Sequence, residues 1–182
     1  MRLRLVAGAW GGRALVYPKG TETRPTAESV REAVFSSLAL DLPGARFADL
    51  FAGTGAVGLE ALSRGTGLAV FLENNPRCVE AIRANAANLG SGERAVVVPG
   101  AVETQWPAVA EQYGPFDFVF ADPPYAYEGW EKLLRMLVRE RVGLAEGGLV
   151  IVEHARRRPL PAGFAAWKEK GFGETAVAYF RA

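Results

Sequence analysis

Residues 47 to 58 read Phe-Ala-Asp-Leu-Phe-Ala-Gly-Thr-Gly-Ala-Val-Gly. Phe47, Ala48, Leu50 and Phe51 form a short apolar run of strand character. Gly53, Gly55 and Gly58 then make a tight turn, and a helical pattern follows to Ser63-Arg64, with Gly65 as a natural stop. Strand, glycine turn and helix in succession let the backbone pass close to a ligand. The new helix N-terminus aims unpaired N–H groups and a positive dipole end at the same place. The ligand expected there is nucleotide-like.

The glycines do not say which one. Gly53-x-Gly55-x-x-Gly58, with Glu73 twenty positions after Gly53, also satisfies the dinucleotide fingerprint. Asp49 is the discriminator, a carboxylate near the end of the strand, four residues before the first glycine. It would repel a pyrophosphate and attract the ammonium group of S-adenosylmethionine (SAM). SAM is therefore favoured, with a dinucleotide as the alternative.

The chain has 182 residues, 49% of them hydrophobic, and no apolar run approaches the ~20 residues needed to span a bilayer. One soluble domain is expected, with a small extension and no membrane association. With Cys78 as the sole cysteine and no long apolar core at the start, the cytoplasm is the expected compartment. The net charge of +1 is unevenly spread: residues 1–24 hold five basic side chains against Glu22, a net +4, which leaves −3 for the remainder. The N-terminus reads as a basic arm (1–24) on a slightly acidic body (25–182).

Residues 2–7 and 13–17 flank Gly8-Ala-Trp-Gly-Gly12 and predict a β-hairpin. It is either a plain edge ribbon or a nucleic-acid clamp, with Arg2 and Arg4 on one face and Trp10 at the tip to stack on a base. Thr26 is the expected N-cap of a helix reaching about Leu40, and Arg24 and Arg31 are either solvated or placed to reach a phosphate or the cofactor carboxylate. Strands follow at Leu68 to Leu72, Ala95 to Val98, Phe116 to Ala121 and Gly147 to Glu153, with helices between, one capped by Asn75-Pro76 and closed by Gly90. This βαβα alternation implies a parallel sheet with a site at the C-terminal strand ends.

The fourth strand, Phe116 to Ala121, ends in Asp122-Pro-Pro-Tyr125, a rigid turn that lies beside the glycine turn if the strand order reverses there. Arg156-Arg-Arg158 reads as a solvated basic run, with RNA binding as the alternative should the N-terminal arm be only an edge ribbon. Residues Phe164 to Lys170 and Glu174 to Arg181, about Gly171-Phe-Gly173, predict an antiparallel hairpin at the sheet edge. A sole histidine, His154, and a sole cysteine exclude a histidine dyad and make a zinc site improbable.

Asp49 to Gly65, Arg24-Pro-Thr26, Arg31-Glu32 and Asp122-Pro-Pro-Tyr125 together closely resemble the bacterial small-subunit rRNA guanine-N2 methyltransferases (RsmD-type). The similarity runs over essentially the whole chain, from the hairpin tip (Gly8 to Arg13) to the terminal hairpin. It implies an α/β, Rossmann-like methyltransferase fold with a mostly parallel seven-stranded sheet. It implies SAM as methyl donor and the exocyclic N2 amine of one guanine in 16S rRNA as acceptor, within a small-subunit assembly particle and by a monomer. The cofactor contacts expected are Asp49, Phe51, Ala52, Gly53, Thr54, Gly55, Glu73, Asn74, Ala101, Val102 and Asp122. Asp122, Pro123, Pro124 and Tyr125 are the expected catalytic segment, and Arg2, Arg4, Trp10, Arg13, Arg24, Thr26 and Arg31 the expected RNA contacts. No metal is expected. The sequence departs from the common methyltransferase pattern at Gly100-Ala-Val102, where an acidic residue often meets the adenine, so adenine recognition falls to backbone groups. A DNA adenine-N6 methyltransferase, a dinucleotide oxidoreductase and a non-catalytic RNA-binding assembly factor are the competing readings.

Overall fold

The computed structural model describes residues 3–18 and 26–181. Seven strands form one sheet: β1 (Arg46–Leu50), β2 (Leu68–Glu73), β3 (Ala95–Pro99), β4 (Phe116–Ala121), β5 (Leu144–Ala155), β6 (Lys168–Phe172) and β7 (Thr175–Arg181). Their order is β3-β2-β1-β4-β5-β7-β6. The first five are parallel, and β7 runs antiparallel between β5 and β6.

Successive side chains of a strand point to opposite faces, so the apolar runs are covered on both sides. Helices α1 (Glu28–Leu38), α2 (Ala56–Ser63) and α3 (Pro76–Leu89) cover one face, where Phe35, Phe47 and Phe118 pack together and Phe71 meets Ile82 and Leu59. On the other face α4 (Val102–Tyr113) and α5 (Trp130–Leu134) bury Trp106, Leu133 and Leu134 against Ala48, Leu50, Val70 and Val119. Strand order turns at β1, which has β2 on one side and β4 on the other. That reversal opens a crevice at the C-terminal strand ends.

Local signals act much as their chemistry requires at α3: the Asn75 side chain accepts from Arg77 N, Pro76 opens the helix, and Gly90 closes it at φ +67°. Helix α1 differs from expectation. Ala27 is its N-cap and no side chain caps it, because the Thr26 hydroxyl donates to Asp122 Oδ2 at 3.2 Å instead. The helix stops at Leu38, where Asp41 N and Leu42 N turn back onto the Leu38 carbonyl. The terminal hairpin turns at Gly173-Glu174, later than its glycines suggest, since Gly171 pairs with Ala176 inside the ladder.

Residues 3–18 form a ribbon with a single bridge, Arg4 to Ala14, and its Leu5 and Leu15 are buried among side chains of α2 and α3. Glu60, itself fully buried, accepts from Val6 N and Ala7 N, and Ser63 accepts from Ala9 N and Trp10 N. Among the described residues no helix is long and apolar enough to cross a membrane.

Candidate active site

The glycine turn is held by carboxylates that point inward. Asp49, 2% exposed, accepts from Gly58 N at 2.8 Å. Glu73, at the end of β2, accepts from Gly53 N at 2.7 Å and from Asn75 N at 2.8 Å. Gly58 is required by packing, since a Cβ there would lie 2.3 Å from the Phe71 ring. Gly53, at φ +55°, has open space where its Cβ would be, so the backbone there is approachable. Phe51 is held at φ +61°, a conformation that costs a side-chain-bearing residue on the order of 1–3 kcal/mol and is usual at functional sites. Burial pushes the Asp49 carboxyl up to about 8, helped by Glu73 and opposed by the Gly58 N–H. An ammonium group placed beside it would remove that penalty.

Thr54 is buried and its carbonyl accepts from Asn85 Nδ2 at 3.2 Å, while Ala52 N bonds Leu72 O. Asn74 is exposed beside Glu73. Ala101 is exposed at the start of α4, and Val102, 2% exposed, sends its side chain into the core, so only its backbone is available to a ligand.

Asp122 follows β4 directly, and its N–H bonds Leu50 O at 3.4 Å, which seats the Asp122 loop against the glycine turn. Pro123 is buried, Pro124 exposed, and the Tyr125 ring stands 73% exposed. Burial raises the Asp122 pKa well above the carboxylate range, Glu153 and Asp49 raise it further, and the Thr26 hydroxyl opposes them. Asp49, Phe51, Gly53, Glu73, Asp122 and Tyr125 thus lie at or just beyond the C-terminal ends of the neighbouring strands β1, β2 and β4.

The candidate RNA residues are more dispersed. Arg2 and Arg24 lie outside the described residues. Arg4 pairs with Glu28 at 3.4 Å, and Arg13 Nη2 donates to Asn88 O at 2.8 Å. The Trp10 ring is partly buried on the α2–α3 core, with the Arg94 guanidinium 5.5 Å from its centre, so it anchors the ribbon where a free tip had been expected. Arg31 corrects the expectation of a reaching side chain. It is 1% exposed and donates to Thr26 O and Arg4 O, linking α1 to the ribbon and to the residue whose hydroxyl bonds Asp122.

Three further groups lie beside the expected site residues. Glu153 on β5 is one position beyond the Ala121–Val152 pair and so lies alongside Asp122. Tyr127 sets its ring edge against Phe51 (5.2 Å) and against Trp130 (5.6 Å), and its hydroxyl donates to Glu103. Arg158 donates to the Tyr125 carbonyl and lies 5.6 Å from that ring's centre. Only the fold brings these together, although Tyr127 is close enough to Tyr125 in sequence to have been included.

Comparison with known proteins identifies the family. The family described as "Conserved hypothetical protein 95" matches residues 3–181. "Ribosomal RNA small subunit methyltransferase D" of Escherichia coli K12 is 33% identical, over 99% of this chain and 90% of its own length. A hypothetical protein of Thermus thermophilus superposes with TM-score 0.85 at 34% identity, over 99% of both chains. An RNA methyltransferase from Salinibacter ruber, solved with S-adenosyl-L-homocysteine, shares the fold at 18% identity and TM-score 0.68, over 87% of this chain and 93% of its own. With the family matched nearly end to end and a third of all positions shared with the E. coli protein, the chain belongs to the ribosomal RNA small subunit methyltransferase D family.

Proposed function

We propose that the protein is a SAM-dependent methyltransferase that modifies the exocyclic N2 amine of a guanine in small-subunit rRNA. The observation that carries this reading is the seating of Asp122-Pro-Pro-Tyr125 against the glycine turn through paired β1 and β4, which sets the Asp122 carboxylate beside the turn that would hold the cofactor. SAM supplies, when bound, a methyl group on a positively charged sulfur. Its ammonium is expected at Asp49 and its ribose hydroxyls at Glu73, at the ends of adjacent strands. Phe51, Ala52, Thr54, Gly55, Asn74, Ala101 and Val102 complete the expected cofactor wall, the last two through backbone groups.

The guanine amine has its lone pair delocalised into the ring. Asp122 and the Pro123 carbonyl accept its two N–H bonds, turning the nitrogen toward tetrahedral geometry with its lone pair facing the donor. Tyr125, exposed at the mouth, stacks on the base, which must be unpaired or flipped to enter. A carboxyl with a raised pKa is suited to take the proton that the methylated amine releases. The protein works as a monomer in the cytoplasm, on rRNA within an assembling small subunit.

The deciding experiment incubates the purified protein with labelled SAM and either naked small-subunit rRNA or assembling particles, then maps the labelled nucleotide. Label at a guanine N2 is expected. Label at an adenine N6, or RNA binding without any transfer, would overturn the assignment.

A further inference from the structure

The proposed reaction requires a polyanion to approach an acidic centre. Asp49, Glu73, Asp122 and Glu153 all lie at the C-terminal ends of their strands, and residues 25–155 carry ten basic side chains against seventeen acidic, a net −7. Phosphates close to the target base are repelled unless cations stand near the mouth. Of the described arginines of the N-terminal ribbon, Arg13 is bonded to Asn88 O at the end of α3, and Arg4 is paired with Glu28 at the start of α1. Arg31 is enclosed.

Beyond β5 the charge reverses. Residues 156–181 hold six basic side chains against Glu169 and Glu174, a net +4. Three of the six are consecutive, Arg156-Arg157-Arg158, and they leave β5 at the catalytic end of the sheet. We propose that this turn binds RNA phosphates beside the target nucleotide, an inference that rests on the methyltransferase reading above.

The turn is held in place before any RNA arrives. Arg156 N donates to Glu174 O (2.8 Å), Arg158 N donates to Ala155 O (2.9 Å), and Arg156 Nη1 donates to Gly173 O (3.3 Å). Arg158 is tied to the Asp122 loop itself, bonding the Tyr125 carbonyl and flanking its ring. A guanidinium has five donors in a planar fork, so one bond to Tyr125 leaves others for a phosphate. A base stacked on Tyr125 brings its own phosphates toward Arg158, and Arg157, exposed between its neighbours, extends the contact along the backbone. Lys170 lies two strands away, in register through Val177 with Glu153, and adds charge on the same side of the sheet. Base and phosphate of one nucleotide are thus gripped by adjoining parts of the protein, which suits a base that must be presented unpaired.

The test is a salt titration of binding to small-subunit rRNA by the wild type, Arg157→Glu, and the triple variant Arg156→Ala, Arg157→Ala, Arg158→Ala. SAM binding and circular dichroism on the same samples report folding. The triple variant should flatten the log–log salt slope by ~0.7 for each single-strand phosphate it no longer neutralises. Arg157→Glu, an exposed change that leaves the turn's own bonds in place, should weaken RNA binding by on the order of 10-fold with SAM affinity unaltered. Replacing all three by lysine should keep most of the slope, because the charge remains. Equal slopes for wild type and triple variant, unchanged RNA affinity in Arg157→Glu, or no RNA binding by the wild type would overturn the proposal. Methyl transfer by the wild type is measured alongside, and its absence would overturn the enzymatic reading while the slopes still judge the turn.

Discussion

The glycine turn and the Asp122 loop lie at the ends of paired strands, yet they are prepared differently. At the turn, polar groups are already bonded to one another: Asp49 to Gly58, Glu73 to Gly53 and Asn75. At the loop, Asp122 has one partner at 3.2 Å, Thr26, and Tyr125 faces solvent. The difference suggests that the cofactor side is shaped by the fold alone, whereas the acceptor side is completed by the base. Preformed donors and acceptors need no reorganisation on binding, so rate should depend most on the loop and affinity for SAM most on the turn.

The sharpest break in that contrast is Asp122→Ala. It removes an acceptor for the amine but leaves the turn, so kcat should fall by ~100-fold or more while SAM binding changes little. Isothermal titration alongside single-turnover transfer checks this, and near-normal turnover would take Asp122 out of the mechanism.

Glu73→Ala should do the reverse. Removing a charge-assisted bond to the ribose, typically ~1.5–3 kcal/mol, should raise the SAM dissociation constant by on the order of 10-fold or more. A substantial drop in kcat at saturating SAM would blur the division between the two regions.

Asp49 allows a test by pH. Its carboxyl is pushed up to about 8 in the fold, above its ordinary value, so the protein without cofactor holds a proton there that the unfolded chain gives up. Stability should therefore decline as pH rises from the carboxylate range toward 8 and level off beyond it. An ammonium that binds the ionised carboxylate releases that proton, so SAM affinity should climb between pH 6 and 8, by up to ~10-fold per unit. Asp49→Asn should flatten both curves, as read by denaturant melts and by SAM titration across the range.

The smallest expected effect is that of Thr26→Val. The hydroxyl favours ionised Asp122, so its removal should raise the Asp122 pKa and move the acid limb of the kcat profile to higher pH. An unmoved limb would mean that the limb reports another group.

Much of this arrangement was legible in the sequence because the signals were local. The spacing Gly53-x-Gly55-x-x-Gly58, the strand before it and the prolines after Asp122 each dictate backbone geometry within a few residues. Parallel strands with a site at their C-terminal ends followed from the βαβ pattern, whereas the reversal of strand order at β1, which the Asp122 turn needed, is seen only in the fold. Thr26 was misread because a hydroxyl before a helix looks like a cap, and only the position of β4 shows that it serves Asp122. Arg31 and Trp10 carry the character of RNA contacts, yet packing encloses the first and half-buries the second. The place of Glu153 beside Asp122 and the contact of Arg158 with Tyr125 were not legible, because their neighbours come from β4 and its loop, more than thirty positions away.

Helix α2 couples two parts of the molecule that differ in role. Its first turn continues the glycine loop, its middle residue Glu60 grips Val6 and Ala7, and Ser63 at its end grips Ala9 and Trp10. The helix is a short rod buried along its whole length, with the glycine turn at one end and the ribbon along its side. The ribbon cannot shift without dragging that rod. Amide exchange at Val6, Ala7, Ala9 and Trp10 should slow together with exchange in α2 when SAM is added, so that saturation of one end of the rod is felt as rigidity along the strip that flanks it.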